Sequence, residues 1–151
     1  KFVVLEWSNP GCPFVKKHYG SGNMQQLQGA YVQKGVIWFT INSSASGKQG
    51  NYSPEAMNEI MAKNGAKQTA VLLDSTCEVG KKYGAKTTPH LFVINPEGKL
   101  IYNGAIDDKP STNPADIAGA RNYVQSALDE AMAGKEVSTS STPSYGCSVK
   151  Y

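Results

Sequence analysis

Residues 2–7 are almost continuously apolar and stop at Ser8-Asn9-Pro10-Gly11, the pattern of a strand buried on both faces that ends in a turn. A helix is predicted next. Pro13 suits a first helical turn, Val15 and Tyr19 share a face, and Gly20-Ser21-Gly22 interrupts before Met24, Leu27 and Tyr31 resume the helical period. Two helical pieces or one kinked helix should result. Residues 36–41 form the clearest strand, β-branched and aromatic, so strand, helix and strand make a right-handed parallel βαβ unit. Residues 42–52 are a polar loop. Ser53-Pro54-Glu55 opens a helix with Met57, Ile60 and Met61 inward and Gly65 as its stop. Residues 70–74 read as a third buried strand, and Ser75 with Glu78 reads as a capping box that puts Cys77 in the first turn of a short helix ending at Gly84. Residues 91–94 and 99–102, joined by Asn95-Pro96-Glu97-Gly98, predict an antiparallel hairpin. Asn113-Pro114 opens a last helix that keeps Ile117, Ala120, Val124, Ala127, Leu128 and Ala131 on one face until Gly134. The organisation predicted is a domain over residues 1–134 and a flexible Ser/Thr-rich tail over residues 135–151 that carries Cys147.

Composition narrows the class. With 151 residues and 40% hydrophobic content the chain can bury a core of ordinary size, and no apolar run approaches a membrane span. The net charge of +3 is scattered, and Arg121 is the single arginine, so there is no basic stripe for nucleic acid. The chain opens directly on strand residues without a signal peptide, which reads as a processed or truncated start and weights an exported, periplasmic setting slightly above the cytoplasm. The 3 cysteines, Cys12, Cys77 and Cys147, are too few and too far apart for a disulfide scaffold, and His18 and His90 do not make a metal site. No cofactor or metal is called for.

Cys12 carries the chemistry. A thiol at or beside the N-cap faces unpaired helix amides, and the helix dipole with Lys16 and Lys17 on the next turn should depress its pKa. Pro89 stands directly before a strand, where a cis bond or a bulge is expected.

Three local matches carry a resemblance: Trp7 before the turn, Cys12-Pro13-Phe14-Val15 beside the glutaredoxin Cys-Pro-Tyr-Cys site, and Thr88-Pro89 beside the thioredoxin cis-proline loop. With the element order, they make the chain resemble the thioredoxin fold, and the tail Tyr-Gly-Cys-Ser-Val-Lys-Tyr at residues 145–151 is similar to that of redoxin-domain proteins of the AhpC/TSA type. The resemblance implies an α/β thioredoxin-like fold, a central mixed sheet flanked by helices, with the inserted αβ element of the peroxiredoxin and thiol-disulfide reductase branch. It also implies that Thr88 and Pro89 oppose Cys12 and offer backbone hydrogen bonds to a substrate, with Trp7, Asn9, Pro13 and His90 around them. Val15 stands where a second cysteine would close a local disulfide, and Asn9 and the distant Arg121 depart from the peroxiredoxin pattern.

The leading function is thiol-disulfide exchange, with Cys12 as nucleophile and Cys147 or an external thiol as resolver, acting on protein or small-molecule thiols and disulfides. A thiol peroxidase acting on peroxides stays open. So does a non-catalytic thioredoxin-like module, or a Cu(I) carrier using Cys12, His90 and another thiol. Cys77 is expected to be structural, and His18 to be exposed. Oligomeric state is not specified.

Overall fold

A computed structural model describes all of residues 1–151. The elements in order are β1 (Val3–Trp7), α1 (Pro13–Gly20), α2 (Asn23–Val32), β2 (Ile37–Asn42), α3 (Pro54–Lys63), β3 (Ala70–Leu73), α4 (Glu78–Tyr83), β4 (Thr87–Thr88), β5 (His90–Ile94), β6 (Leu100–Gly104), α5 (Tyr123–Met132) and β7 (Cys147–Ser148). Five strands form one mixed sheet in the order β3-β2-β1-β5-β6. β1 and β3 run parallel to β2, β5 runs antiparallel to β1 and β6 antiparallel to β5, and β4 pairs with β7 in a separate two-stranded ribbon. This is the thioredoxin-like mixed sheet expected, with β1 at its centre delivering Cys12.

The pleat of β1 sends alternate side chains to two cores. Val4 joins Trp38, Leu91, Val93 and Tyr102 beneath the inner faces of α1, α2 and α5. Leu5 and Trp7 join Ile41, Ala85, Phe92 and Val149 on the other face. Burying each such large side chain contributes roughly 1.5–3 kcal/mol. Glu6 also points inward, toward the helices, and is fully buried. Its carboxylate accepts from Tyr19 Oη at 2.6 Å, Gln28 Nε2 at 3.0 Å, Trp38 Nε1 at 2.8 Å and Thr40 Oγ1 at 3.1 Å. Burial raises its pKa and these four donors work against that rise.

Several predicted elements take a different form. The expected break between two helical pieces is present, with Gly22 at φ +80 as the N-cap of α2, whereas the following elements differ. β3 is an edge strand, not a buried one, and leaves Leu72 and Leu73 exposed because nothing pairs on its outer side. α4 is not capped by Ser75. Asp74 reaches over instead and accepts from the Val79 and Gly80 amides at 3.3 and 2.9 Å, while Cys77 takes the N-cap position at φ +64. The last helix is half the predicted length: a single 3-10 turn covers Pro114–Asp116, and α5 starts afresh with Asn122 accepting from the Gln125 amide. Tyr123 N donates to Ile106 O and Asp107 bridges Asn122, so the chain between is tied to a loop and Arg121 falls outside the helix.

Residues 135–151, expected as a flexible tail, lie in order against the domain. Asn103 N donates to Ser140 O and Thr142 N to Asn103 O, which adds the segment to the open edge of β6. Thr142 Oγ1 accepts from Ala105 N at 3.0 Å and lies 2.6 Å from Tyr102 Oη. Beyond β7, Val149 N donates to Lys86 O, and Tyr151 Oη donates to Ala85 O at 2.6 Å. Hydroxyls serve here as ladder and turn partners, and Val149 and Tyr151 cover the second core face, which the last helix does not reach.

Candidate active site

Cys12 is the N-cap of α1, with extended backbone at φ −78 and ψ 127, and Pro13 follows as the first helical residue. Asn9 builds the turn: its Oδ1 accepts from Gly11 N at 3.0 Å and its carbonyl accepts from Cys12 N. The Cys12 thiol points inward with 0% exposure and donates to Thr88 O at 3.2 Å. Thr88 and Pro89 are joined by a cis peptide bond. The β4–β7 register sets Cys147 opposite Thr88, the residue whose carbonyl takes the Cys12 thiol, so the fold brings the two cysteines to the same loop. All three cysteines are free thiols.

The two neighbouring thiols differ in acidity. Burial would raise the Cys12 pKa, but the Cys147 thiol, the Thr88 side chain and the Val15 and Cys147 amides favour the thiolate and lower the net value. The Thr88 hydroxyl is buried beside the loop and has no hydrogen-bond partner. Cys147 moves the other way. Burial, its hydrogen bond to Cys12 and the charge of that neighbour push it up to about 11, against the Phe14 amide and Lys150. Cys12 is therefore the first sulfur to ionise, and Cys147 holds the proton.

The lysines assigned to this effect do something else. Lys17 is 2% exposed and donates to Lys109 O at 2.9 Å and to Tyr145 Oη at 3.4 Å. Lys16 is exposed and borders a hollow with Tyr19, Ile60 and Met61. Neither is among the groups that shift Cys12; amide and hydroxyl donors replace them.

His90 is buried with both nitrogens engaged: Nδ1 accepts from Lys86 N at 3.1 Å, and Nε2 faces Asn103 Oδ1 at 2.7 Å. Accepting at Nδ1 puts the proton on Nε2, and the ring stacks on Phe92 with centroids 4.4 Å apart. It offers no free nitrogen to Cys12 as base or to a soft metal as ligand. Trp7 and Asn9 are likewise buried, Trp7 donating to Ser43 Oγ at 2.9 Å and packing on Phe92, so neither forms an open substrate wall. Pro13 is the exposed member of the predicted set. Cys77 donates to Ser43 O at 3.3 Å, apart from this cluster.

His18, expected at the surface, is fully buried between Asn23 Nδ2 at 2.9 Å and Tyr145 Oη at 3.2 Å. Burial holds its pKa down at about 4, with Asp107 acting upward and Lys17 downward. Its folded value lies below the ordinary 6.5, so the unfolded chain takes the proton first as pH falls. Stability should therefore fall from pH 6.5 toward 4, by about 3 kcal/mol for this group. Denaturant unfolding at pH 7 and pH 4.5 is expected to show that loss in the wild type and not in His18→Gln. Equal losses in both would assign the acid sensitivity to another group.

The redoxin family model matches residues 1–122. The chain belongs to the redoxin family. This redoxin is similar to an uncharacterized conserved protein from Geobacillus kaustophilus, with 30% identity, a TM-score of 0.84 and coverage of 99% of this chain and 77% of that one. A hypothetical protein from Sinorhizobium meliloti 1021 has 26% identity and a TM-score of 0.82, covering 99% of this chain and 79% of that one. The thioredoxin domain of a thiol-disulfide oxidoreductase from Bacteroides vulgatus has the same fold at 19% identity and a TM-score of 0.54, covering 68% of this chain and 69% of that one. No curated protein matches the sequence. The family match ends before Cys147, whereas the first two relatives cover the tail of this redoxin as well.

Tyr145, Asp107 and Glu6 were not singled out by sequence. Tyr145 and Asp107 sit in segments whose composition reads as loop, and only their convergence from distant parts of the chain gives them a role.

Proposed function

We propose that this redoxin is a thiol-disulfide oxidoreductase in which Cys12 attacks and Cys147 resolves. The observation that supports it best is the β4–β7 register, which sets Cys147 opposite the residue whose carbonyl takes the Cys12 thiol. The Cys12 thiolate attacks one sulfur of an external disulfide, forms a mixed disulfide and releases one thiolate. Cys147 then gives up its proton to that thiolate and attacks Cys12 Sγ, releasing the second thiolate as the internal disulfide closes. Two protein thiols are oxidised and one external disulfide is reduced to two thiols, and the reverse sequence oxidises a dithiol partner. The substrates are protein or small-molecule disulfides.

A peroxidase would need a cation to polarise the peroxide. Arg121 instead stacks over Tyr123 at 5.6 Å and donates to Thr139 Oγ1, away from Cys12.

Mild oxidation of the reduced full chain with glutathione disulfide, acid quenching and peptide mapping test the proposal. The expected product is a monomer with a Cys12–Cys147 bond and a free Cys77. A product lacking that bond would overturn the assignment.

A further inference from the structure

Two residues before Cys147 the tail sinks a tyrosine into the domain. Tyr145 Oη donates to Asp107 Oδ1 at 2.6 Å and accepts from Lys17 Nζ at 3.4 Å. His18 Nε2 lies 3.2 Å away, and since Asn23 donates to the other ring nitrogen, Nε2 carries the proton and donates as well. Lys17, His18 and Asp107 are all buried, so one hydroxyl bridges a buried ammonium and a buried carboxylate. Its ring meets Phe14 edge-on at 5.8 Å, and the Lys17 ammonium lies 5.4 Å from its centroid. Every one of these groups except Asp107 belongs to α1 or stands next to it, the helix that Cys12 caps.

We propose that Tyr145 is a positioning residue for the resolving step, a latch whose hydroxyl holds Cys147 against Cys12. The inference rests on the thiol-disulfide reading above. It gives the latch opposite effects on the two half-reactions. With the tail seated, Cys12 is fully covered, so the attack on an external disulfide requires the tail to lift. Resolution requires it to return. Weakening the latch should speed capture and slow closure, which no general loss of stability would do.

The test compares the full-length wild type with Tyr145→Phe, and with Tyr31→Phe as a control. Tyr31 makes a similar tyrosine–aspartate bond, to Asp129 at 2.5 Å, between α2 and α5 and away from the tail. Each protein is equilibrated in glutathione redox buffers and the fraction with a Cys12–Cys147 bond is measured, together with the glutathione adduct on Cys12. Tyr145→Phe is expected to lower the closing constant by about tenfold, the scale of one hydrogen bond to a charged group. The adduct should form faster and persist, and Tyr31→Phe should stay within about twofold of wild type. Should Tyr145→Phe fold poorly, Asp107→Asn carries the same comparison. A wild-type closing constant in the latch variants, or an equal shift in Tyr31→Phe, overturns the latch alone. Absence of the bond in the wild type overturns the reading beneath it and the latch together.

Discussion

Replacing Cys12 with serine is expected to reduce disulfide exchange to background, a loss on the order of a thousandfold or more, because a serine hydroxyl forms no appreciable anion at neutral pH. Replacing Cys147 should act differently. In Cys147→Ser the first attack still occurs, so the chain should stop as a mixed disulfide, one external group per molecule on Cys12. In Cys147→Ala, which removes the donor altogether, the Cys12 pKa should also rise, since the Cys147 thiol is the foremost donor acting on that sulfur against its burial. Mass spectrometry of the trapped adduct and the pH profile of iodoacetamide labelling measure both effects. A Cys12→Ser protein that exchanges disulfides at the wild-type rate would place the chemistry on another thiol.

The parts of this site that are legible in sequence are those set by local backbone rules. Pro13 fixes the first turn of α1 and so the N-cap place of Cys12, and Thr88-Pro89 ahead of an apolar strand marks the facing loop. Neighbours in the chain were a poorer guide to electrostatics. Lys16 and Lys17 follow Cys12 closely, yet the helix turns Lys17 to Lys109 and Tyr145 and leaves Lys16 exposed. The groups that favour the thiolate come largely from residues 88 and 147, which no local pattern joins to residue 12. Composition misled for the same reason at the tail. Serines and threonines suggest a loose segment, but Thr142 and the Ser140 carbonyl complete the edge of β6. Glu6 shows the converse: a charge inside an apolar run is tolerated because four donors from four different elements or positions surround it.

On the proposed mechanism, the seating of the tail makes Cys12 both protected and resolvable. One closed arrangement covers the nucleophile, supplies two of its donors and delivers the resolving sulfur. The same contacts that lower the Cys12 pKa therefore limit access to it, and on the mechanism proposed above turnover would depend on a strand that lifts and returns. A short strand of two residues suits that duty, since few backbone bonds have to break.

Gly146→Val is expected to unseat this strand and to lower the closing constant of the Cys12–Cys147 bond by about a hundredfold, near 3 kcal/mol. A Cβ at residue 146 would lie 2.1 Å from Thr88 O, and the backbone there has φ +143, which side-chain-bearing residues rarely adopt. Thr88 O cannot retreat freely, because the Cys12 thiol donates to it and Thr88 is followed, after Pro89, by the buried strand β5. The tail must move instead, and Val149 and Tyr151 would leave the second core face with it. Gly104→Val offers a graded comparison. Its Cβ would meet Thr142 Oγ1 at 2.2 Å, at the upstream seat, where the tail joins β6 and not β4. That variant should weaken closure less, because the Tyr145 contacts and the β4–β7 pairing lie beyond it. Glutathione titration gives the closing constants, and amide exchange at Val149, whose N–H donates to Lys86 O, reports whether the strand is seated. A Gly146→Val protein with a protected Val149 amide and a wild-type closing constant would show that close approach at Thr88 does not govern the pairing of the two sulfurs.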